Sequence, residues 1–449
     1  MSRATQEACA VALVHLGCAR NLIDSEVMLA RMAEAGLLVT GDPEQADIAV
    51  LNTCSFIGPA RAESEQAIRD LIERKQKGEL QAVVVAGCLV QRYKRGLRER
   101  FPEVDLFAEI SDYRKLAQAV GHLATGDSVP RYLEAIERPG AEREGARLLS
   151  TPGSYAYLRI SHGCDHTCSF CAIPAIRGGH RSKSLEAVTA EAQELVNAGV
   201  RELVLVAEDS TAWGRDQGQE LPDLVEALAS LDDQTRVRVM YAYPNNFPWR
   251  LAELLRDHPN VVPYLDMPLQ HVATPVLRAM RRAGQGDQVR ATVERLRAEV
   301  PNLSIRSTLL VGFPGETEAD VEELCEFIRA YKLGRMGAFP FSPEEGTAAY
   351  DLPDRVPAEE IARRYEAVLA ARNEVLQASQ RELIGSEVEV LIDENSRFGL
   401  VGRTFRDAPE VDPIVLVEGL EAQVGDRVIA TVRDIDDEFD MLCGEEVSE

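Results

Sequence analysis

The sequence predicts an α/β protein in three parts. These are an N-terminal parallel-sheet α/β domain, a partial (βα)6 barrel of the TIM type, and a small antiparallel β-barrel at the C-terminus. Three observations predict it. Short apolar, β-branched runs alternate with helical patterns as far as about residue 124. Six further strand–helix alternations follow the irregular stretch at 125–153. From about Gly385 the pattern shortens to brief strands separated by Gly, Asp and Pro. At 449 residues the chain exceeds one ordinary domain, and we place the boundaries at 8–124, 150–382 and 383–449.

In the first block, Val11–Leu16, Asp47–Leu51 and Gln81–Ala86 suit buried strands, and Leu22–Ala35 and Gly58–Lys77 carry helical periodicity. Scattered Pro, Gly and charge at 125–153 read as a linker. The second block offers six strands: Tyr155–Ile160, Leu203–Ala207, Arg236–Tyr241, Val262–Met267, Ile305–Val311 and Met336–Phe341. Helical stretches such as Ser184–Ala198, Leu221–Leu231 and Glu318–Tyr331 separate them. Chemistry in such a barrel sits at the C-terminal ends of its strands. The third block offers Val388–Ile392, Phe398–Phe405, Ile414–Val417, Arg427–Val432 and Met441–Cys443.

Hydrophobic content of 45% with 27% charged residues is that of a globular protein with a substantial core. No apolar run approaches the roughly 18 residues of a membrane span, and the apolar stretch near the start reads as a strand rather than a signal peptide. The expected location is therefore the cytoplasm, without membrane association. Nine cysteines in such a chain point to metal or redox chemistry. A net charge of −25 disfavours a broad nucleic-acid footprint and favours basic partners.

Cys164, Cys168 and Cys171 form a CxxxCxxC loop, GCDHTCSFC, just after the first barrel strand. Three closely spaced thiolates suit an iron–sulfur cubane with one iron left open for an outside ligand. Structural core cysteines, or a zinc site completed by His162 or His166, are the alternatives. A second trio is dispersed: Cys18, Cys54 and Cys88 lie 36 and 34 residues apart, each just after an apolar strand. Neighbouring parallel strands run about 4.8 Å apart and end on one side of the sheet. If the three strands are neighbours, the sulfurs meet in one crevice. Three unrelated buried cysteines are the alternative. Cys9, Cys325 and Cys443 lack such partners and read as structural.

CxxxCxxC after the first strand of a partial barrel resembles the radical S-adenosylmethionine (SAM) superfamily. The resemblance implies a 4Fe-4S cluster whose open iron binds SAM and cleaves it reductively to a 5′-deoxyadenosyl radical. Phe170 is similar to the aromatic residue found beside the last thiolate in many members; plain packing is its other reading. Ser307–Glu316, STLLVGFPGE, resembles the fifth-strand segment that contacts the adenosyl group. That implies Ser307, Gly312 and Gly315 as SAM contacts, a plain turn being the alternative. Glu208 and Asp209 end the second strand where the superfamily often has glutamine and aspartate, which implies a cofactor role for Glu208. Tyr241–Pro244 and Leu265–His271 match strand-end patterns in the same way.

The two trios together resemble the methylthiotransferase family across nearly the whole chain, the C-terminal barrel corresponding to its TRAM domain. The resemblance implies two 4Fe-4S clusters, SAM as methyl and radical source, and an electron donor of the flavodoxin or ferredoxin kind. It further implies that a methylthio group is placed on an unactivated carbon. No side chain stands out as a general base.

The family's branches modify transfer RNA or a ribosomal protein. Residues 385–449 hold 18 Asp and Glu against 5 Arg and no Lys, a net charge of 5 − 18 = −13. Phe398, Phe405 and Phe439 could stack bases, but an RNA-gripping barrel needs a positive groove. A basic ribosomal protein is the better electrostatic match, and stable RNA binding by this barrel is not expected. The segment GRTFRDAPEVD, Gly402–Asp412, also resembles the ribosomal-protein branch. That branch acts on an aspartate β-carbon of the small-subunit protein numbered twelve. A transfer-RNA methylthiotransferase acting on a modified adenosine, a non-enzymatic iron–sulfur carrier and a zinc scaffold are the competing readings.

Overall fold

The sheet predicted for the N-terminal block is present, and wider than the sequence indicates. The structure is a computed structural model describing residues 9–111, 113–135, 145–282, 284–438 and 440–444. Phe439 and part of the 125–153 connection therefore lie outside the described residues. The chain divides into two compact units. One holds residues up to 150 with 162–165 and 171–181, and the other holds 151–161, 166–170 and everything from 182.

In the first unit, β1 (Ala10–His15), β2 (Leu38–Thr40), β3 (Ile48–Thr53), β4 (Ala82–Gly87), β5 (Leu106–Ala108) and β6 (Tyr132–Leu133) form one sheet in the order β2-β1-β3-β4-β5-β6. Every pairing is parallel. The three predicted strands are β1, β3 and β4 at the centre. The others are only two or three residues long and show no period of their own. Strand alternation divides the core between the two faces. Ile48, Val50 and Val84 pack with Val27, Met28 and Met32 of helix Ala19–Glu34, while Ala49, Leu51, Val83 and Val85 pack with Ile68 and Leu71 of helix Gly58–Gln76. The chain leaves β1 for β2 on one side, and β3 lies on the other. The crevice at the C-terminal ends of β1 and β3 is thus the topological switch point, where open α/β sheets bind their ligands. Part of the predicted linker folds back as well: the buried Glu26 carboxylate meets the Arg147 guanidinium at 2.5 Å and accepts from the Ser150 N–H at 2.9 Å.

In the second unit, β7 (Tyr155–Arg159), β8 (Glu202–Val206), β9 (Arg236–Val239), β10 (Val261–Asp266), β11 (Ser304–Val311) and β12 (Met336–Pro340) are the six predicted barrel strands. They lie in sequential order, all parallel and unclosed. A 24-residue helix, Ala358–Arg381, escaped the sequence reading. It packs so closely that a Cβ on Gly334 would sit 2.8 Å from the Leu376 Cα and one on Gly312 would sit 2.5 Å from Ile361.

The last five strands, β13 (Glu387–Ser396), β14 (Gly399–Arg403), β15 (Val415–Glu418), β16 (Arg427–Ile435) and β17 (Met441–Gly444), close a barrel in the order β13-β14-β15-β17-β16. Four of its ladders are antiparallel; β15 with β17 is parallel. Its interior is Val388, Val390, Ile392, Leu400, Val415, Val417, Val432 and Met441.

The acidic segment after β14 has a different use from the one its charge suggests. It lies against the N-terminal ends of the six parallel strands. Arg403 bridges Glu202 (3.0 Å) and Asp393 (2.6 Å). Asp407 meets Arg335 at 2.8 Å, and Asp412 accepts from the Tyr264 hydroxyl at 2.8 Å. Glu410 accepts from Tyr155 and Tyr157 at 3.1 and 3.2 Å, and the Phe405 carbonyl accepts from Arg238 at 2.9 Å. Four carboxylates credited to an outward acidic surface are therefore partnered inside the fold.

Candidate metal centre

Cys18, Cys54 and Cys88 stand at the C-terminal ends of β1, β3 and β4, three strands adjacent in the sheet. Cys54 follows β3 directly and Cys88 follows β4, while Cys18 precedes helix Ala19–Glu34. The expected adjacency of the three strands is present, and the charges of Cys18 and Cys88 both bear on the Cys54 thiol.

Backbone geometry makes the crevice tight. Gly17 and Gly87 precede Cys18 and Cys88, with φ of +109° and +94°. A Cβ on Gly17 would lie 3.0 Å from Cys54 Cβ and 3.1 Å from its Sγ; one on Gly87 would lie 2.2 Å from Asn52 Oδ1 and 2.8 Å from the Thr53 carbonyl. Only glycine tolerates both the torsion and the approach. Polar groups beneath the sulfurs lock the strand ends together. The Asn52 amide donates to the Asn21 carbonyl and the Ser25 hydroxyl (2.9 and 2.8 Å), and the Asn21 amide donates to the Leu16 carbonyl (2.6 Å). The Thr53 hydroxyl donates to the Ala86 carbonyl (2.5 Å), and Ser64 accepts from the Cys54 N–H (3.0 Å).

The three thiols differ electrostatically. Burial opposes ionisation of Cys18, but the charges of Arg20 and Arg177 and hydrogen bonds from Asn21 and Arg20 outweigh it, so its pKa lies below the usual thiol value. Burial pushes Cys54 up to about 11, against the opposing pull of the Phe56 and Ser55 amides. Burial raises Cys88 too, opposed mainly by Arg177. Arg177 lies in the short helix Ile173–Arg177 that follows the CxxxCxxC motif. Its Nη2 reaches the Cys88 Sγ at 3.5 Å and the buried Asp24 Oδ2 at 2.8 Å. Sequence reasoning missed Arg177 and Asp24, because neither stands near a cysteine of this trio in a recognisable motif.

The CxxxCxxC loop is anchored on both flanks. Gly163, at φ +71°, has no room for a Cβ, which would lie 2.2 Å from the Gly179 carbonyl, and the Cys164 N–H donates to the Gly178 carbonyl at 3.1 Å. In the second unit, His166 Nε2 lies 2.7 Å from Asp209 Oδ2, and its ring stacks on Tyr243 at 3.8 Å between centroids. Arg282 covers Tyr243 (4.2 Å) and points Nη1 at Cys168 Sγ (3.9 Å). Burial raises the Asp209 pKa, but hydrogen bonds from His166 and Thr211 win and hold it below the ordinary value. His166 is therefore engaged by a carboxylate and a ring. Among the described residues no group of three or more His, Cys, Asp or Glu stands close enough as placed to hold a metal ion. Cysteine thiolates are the donors that iron–sulfur clusters take, so the donor chemistry of Cys18, Cys54 and Cys88 at three adjacent strand ends fits a cluster.

Other predicted residues have visible structural employment. Ser307 is fully buried; it donates to the Met267 carbonyl (3.0 Å) and accepts from the Leu269 N–H (3.3 Å). The Gly312 N–H is shared by both oxygens of Glu316 (3.0 and 2.9 Å), which also meets Arg364 at 3.0 Å. A Cβ on Gly315 would meet nothing within 4 Å. Phe170 packs against a cluster that includes Met280, Phe313 and Phe341. Glu208 is half-buried just past β8. Cys325 and Cys443 are buried in helix Glu318–Ala330 and strand β17, and Cys9 is half-buried beside β1.

Known proteins resemble this chain along most of its length. Residues 10–109 match the Uncharacterized protein family UPF0004, residues 158–328 the Radical SAM superfamily and residues 384–445 the TRAM domain. The ribosomal protein uS12 methylthiotransferase RimO of Trichlorobacter lovleyi is 39% identical over 96% of this chain and 97% of its own. The protein of the same description from Geobacter sulfurreducens is 40% identical over 98% of each. Among solved structures, the radical SAM methyltransferase TsrM from Kitasatospora setae, with cobalamin and a [4Fe-4S] cluster bound, superposes with a TM-score of 0.56. It shares 15% identity and covers 76% of this chain and 77% of its own, a likeness of fold.

Proposed function

Because the chain belongs to the ribosomal protein uS12 methylthiotransferase RimO family, we propose that it places a methylthio group on an aspartate β-carbon of that small-subunit ribosomal protein. The placement of Cys18, Cys54 and Cys88 at the C-terminal ends of three adjacent strands, beside the switch point of the first sheet, carries the reading. In it, these three thiolates hold one 4Fe-4S cluster, and Cys164, Cys168 and Cys171 hold the other. When bound, the clusters and SAM supply the radical chemistry and the methylthio group.

The chain's own task is placement and exclusion of water. The glycines at 17, 87 and 163 let the backbone close around the sulfurs without side chains in the way. The Asn21–Asn52–Ser25 network fixes the strand ends, and Asp209, His166, Tyr243 and Arg282 hold the loop around Cys168. Phe170, Glu208, Ser307, Gly312 and Gly315 remain the SAM contacts of this reading. Gly315 has open space beside it, whereas Ser307 acts from within strand β11 and Gly312 from just past its end. The domains run 8–124, 150–382 and 383–449. A flavodoxin- or ferredoxin-type donor supplies electrons, and the reaction takes place in the cytoplasm. The C-terminal barrel, its segment 403–412 committed internally, does not hold RNA stably.

The test is anaerobic reconstitution with SAM and reductant, offering uS12 and transfer RNA separately. Mass spectrometry should find a methylthio increment on an aspartate of uS12. A Cys18→Ala/Cys54→Ala/Cys88→Ala variant should still cleave SAM yet transfer nothing. An increment on nucleoside alone would overturn the substrate, and full transfer by the triple variant would overturn the site.

A further inference from the structure

We propose that Arg177 and Asp24 form a charge pair that sets the reduction potential and hold of the cluster on Cys18, Cys54 and Cys88, a proposal that rests on the assignment of those thiols as ligands. Arg177 follows Cys171 by six residues, so the segment carrying the CxxxCxxC trio also delivers a guanidinium to the dispersed trio. Its Nη2 stands 3.5 Å from Cys88 Sγ and 2.8 Å from Asp24 Oδ2, and both side chains are about 5% exposed. A fork already bound to a carboxylate has a fixed direction, which makes it a rigid donor to sulfur. Helix Ile173–Arg177 is pinned as well, since Ala172 and Ile176 pack in the same core as Val27, Met28 and Cys88.

The physical consequence has a sign. One-electron reduction adds a negative charge to the cluster, the electron coming from the titrant or a low-potential donor protein. A cation or N–H donor at a ligating sulfur favours the reduced form, and a nearby anion disfavours it. Arg177 therefore raises the potential, and Asp24 moderates it. Removing the two partners should move the midpoint in opposite directions. A purely structural pair, broken from either side, would instead disturb the site in the same way.

The experiment is an anaerobic redox titration of the reconstituted full chain, followed by electron paramagnetic resonance. The wave belonging to the N-terminal trio is the one lost in Cys18→Ala/Cys54→Ala/Cys88→Ala. Arg177→Gln should shift that wave to more negative potential, Asp24→Asn should shift it to more positive potential, and Arg177→Lys should stay near the parent. If Arg177→Gln loses the cluster, retention of iron and sulfide by Arg177→Lys supports the charge role, and loss in both overturns it. Shifts in one direction, or none, would also overturn the proposal while leaving the ligands standing. No wave lost in the triple variant would instead overturn the ligand assignment itself.

Discussion

Replacing Gly87 by alanine tests whether the crevice is as tight as its backbone requires. Gly87 has φ +94° and ψ −157°, a region that side-chain-bearing residues enter at a cost of about 1–3 kcal/mol. The added methyl would meet Asn52 Oδ1 at 2.2 Å and the Thr53 backbone at 2.8 and 2.9 Å. The amide could swing, but only by giving up its bonds to the Asn21 carbonyl and Ser25, and strand β3 cannot move alone; overpacking of this kind costs about 1–3 kcal/mol. Gly87→Ala should therefore cost about 2–6 kcal/mol. Because the chain has two compact units, one global midpoint is a poor measure. Hydrogen exchange over residues 82–108 reads the local free energy, and about 2 kcal/mol corresponds to a roughly 30-fold loss of protection. Gly121→Ala in the same unit is the control. It lies in helix Arg114–Ala124 with nothing within 4 Å of a new Cβ, and it should gain about 0.5–1 kcal/mol. Equal protection in parent and Gly87→Ala would refute the reasoning.

Other expected outcomes follow from the second unit. Glu202, buried, is stabilised by Arg238 and Arg403 strongly enough to overcome its desolvation, and its pKa falls to about 2. Since the folded pKa lies below the unfolded one, the stabilisation is complete above about pH 4.5 and fades as pH drops towards 2, by at most roughly 3 kcal/mol. An acid-unfolding series in which Glu202→Gln retains the parent's slope there would contradict this. Asp407→Ala leaves the half-buried Arg335 with only its 3.3 Å bond to the Gln380 amide oxygen and should cost about 1–3 kcal/mol, read as faster limited proteolysis between residues 382 and 444. His166→Ala removes both the Asp209 bond and the ring stacked on Tyr243; iron and sulfide content after desalting should fall, and unchanged content would rule out an anchoring role for the loop.

The sequence was legible where a repeated pattern coincided with an obligatory chemistry. The central strands showed as apolar runs, and the spacing of Cys18, Cys54 and Cys88 matched one strand–helix unit each, which predicted their neighbourhood. The glycine immediately before Cys18, Cys88 and Cys164 was a further signal, for in all three cases the cause is a positive φ with no room for a Cβ. Strands β2, β5 and β6 were invisible because two or three residues carry no period. Arg177 was invisible because it meets Cys88 across 89 positions of sequence. The charge argument on the last block reached a ribosomal-protein substrate on partly mistaken grounds. Asp393, Asp407, Glu410 and Asp412 are internal partners of Arg403, Arg335, Tyr155, Tyr157 and Tyr264, and composition cannot tell a solvated carboxylate from a committed one.

Those carboxylates also determine how the gene can be shortened. A chain stopped at residue 382 would keep Arg238, Arg306 and Arg335 while deleting the Phe405 carbonyl, Asp412 and Asp407 that face them. Three guanidinium groups would then line an open mouth at the foot of the parallel strands, with Tyr155, Tyr157 and Tyr264 left without their acceptors. The terminal fragment acts as a cork on these strands, so a chain expressed without it begins life uncorked.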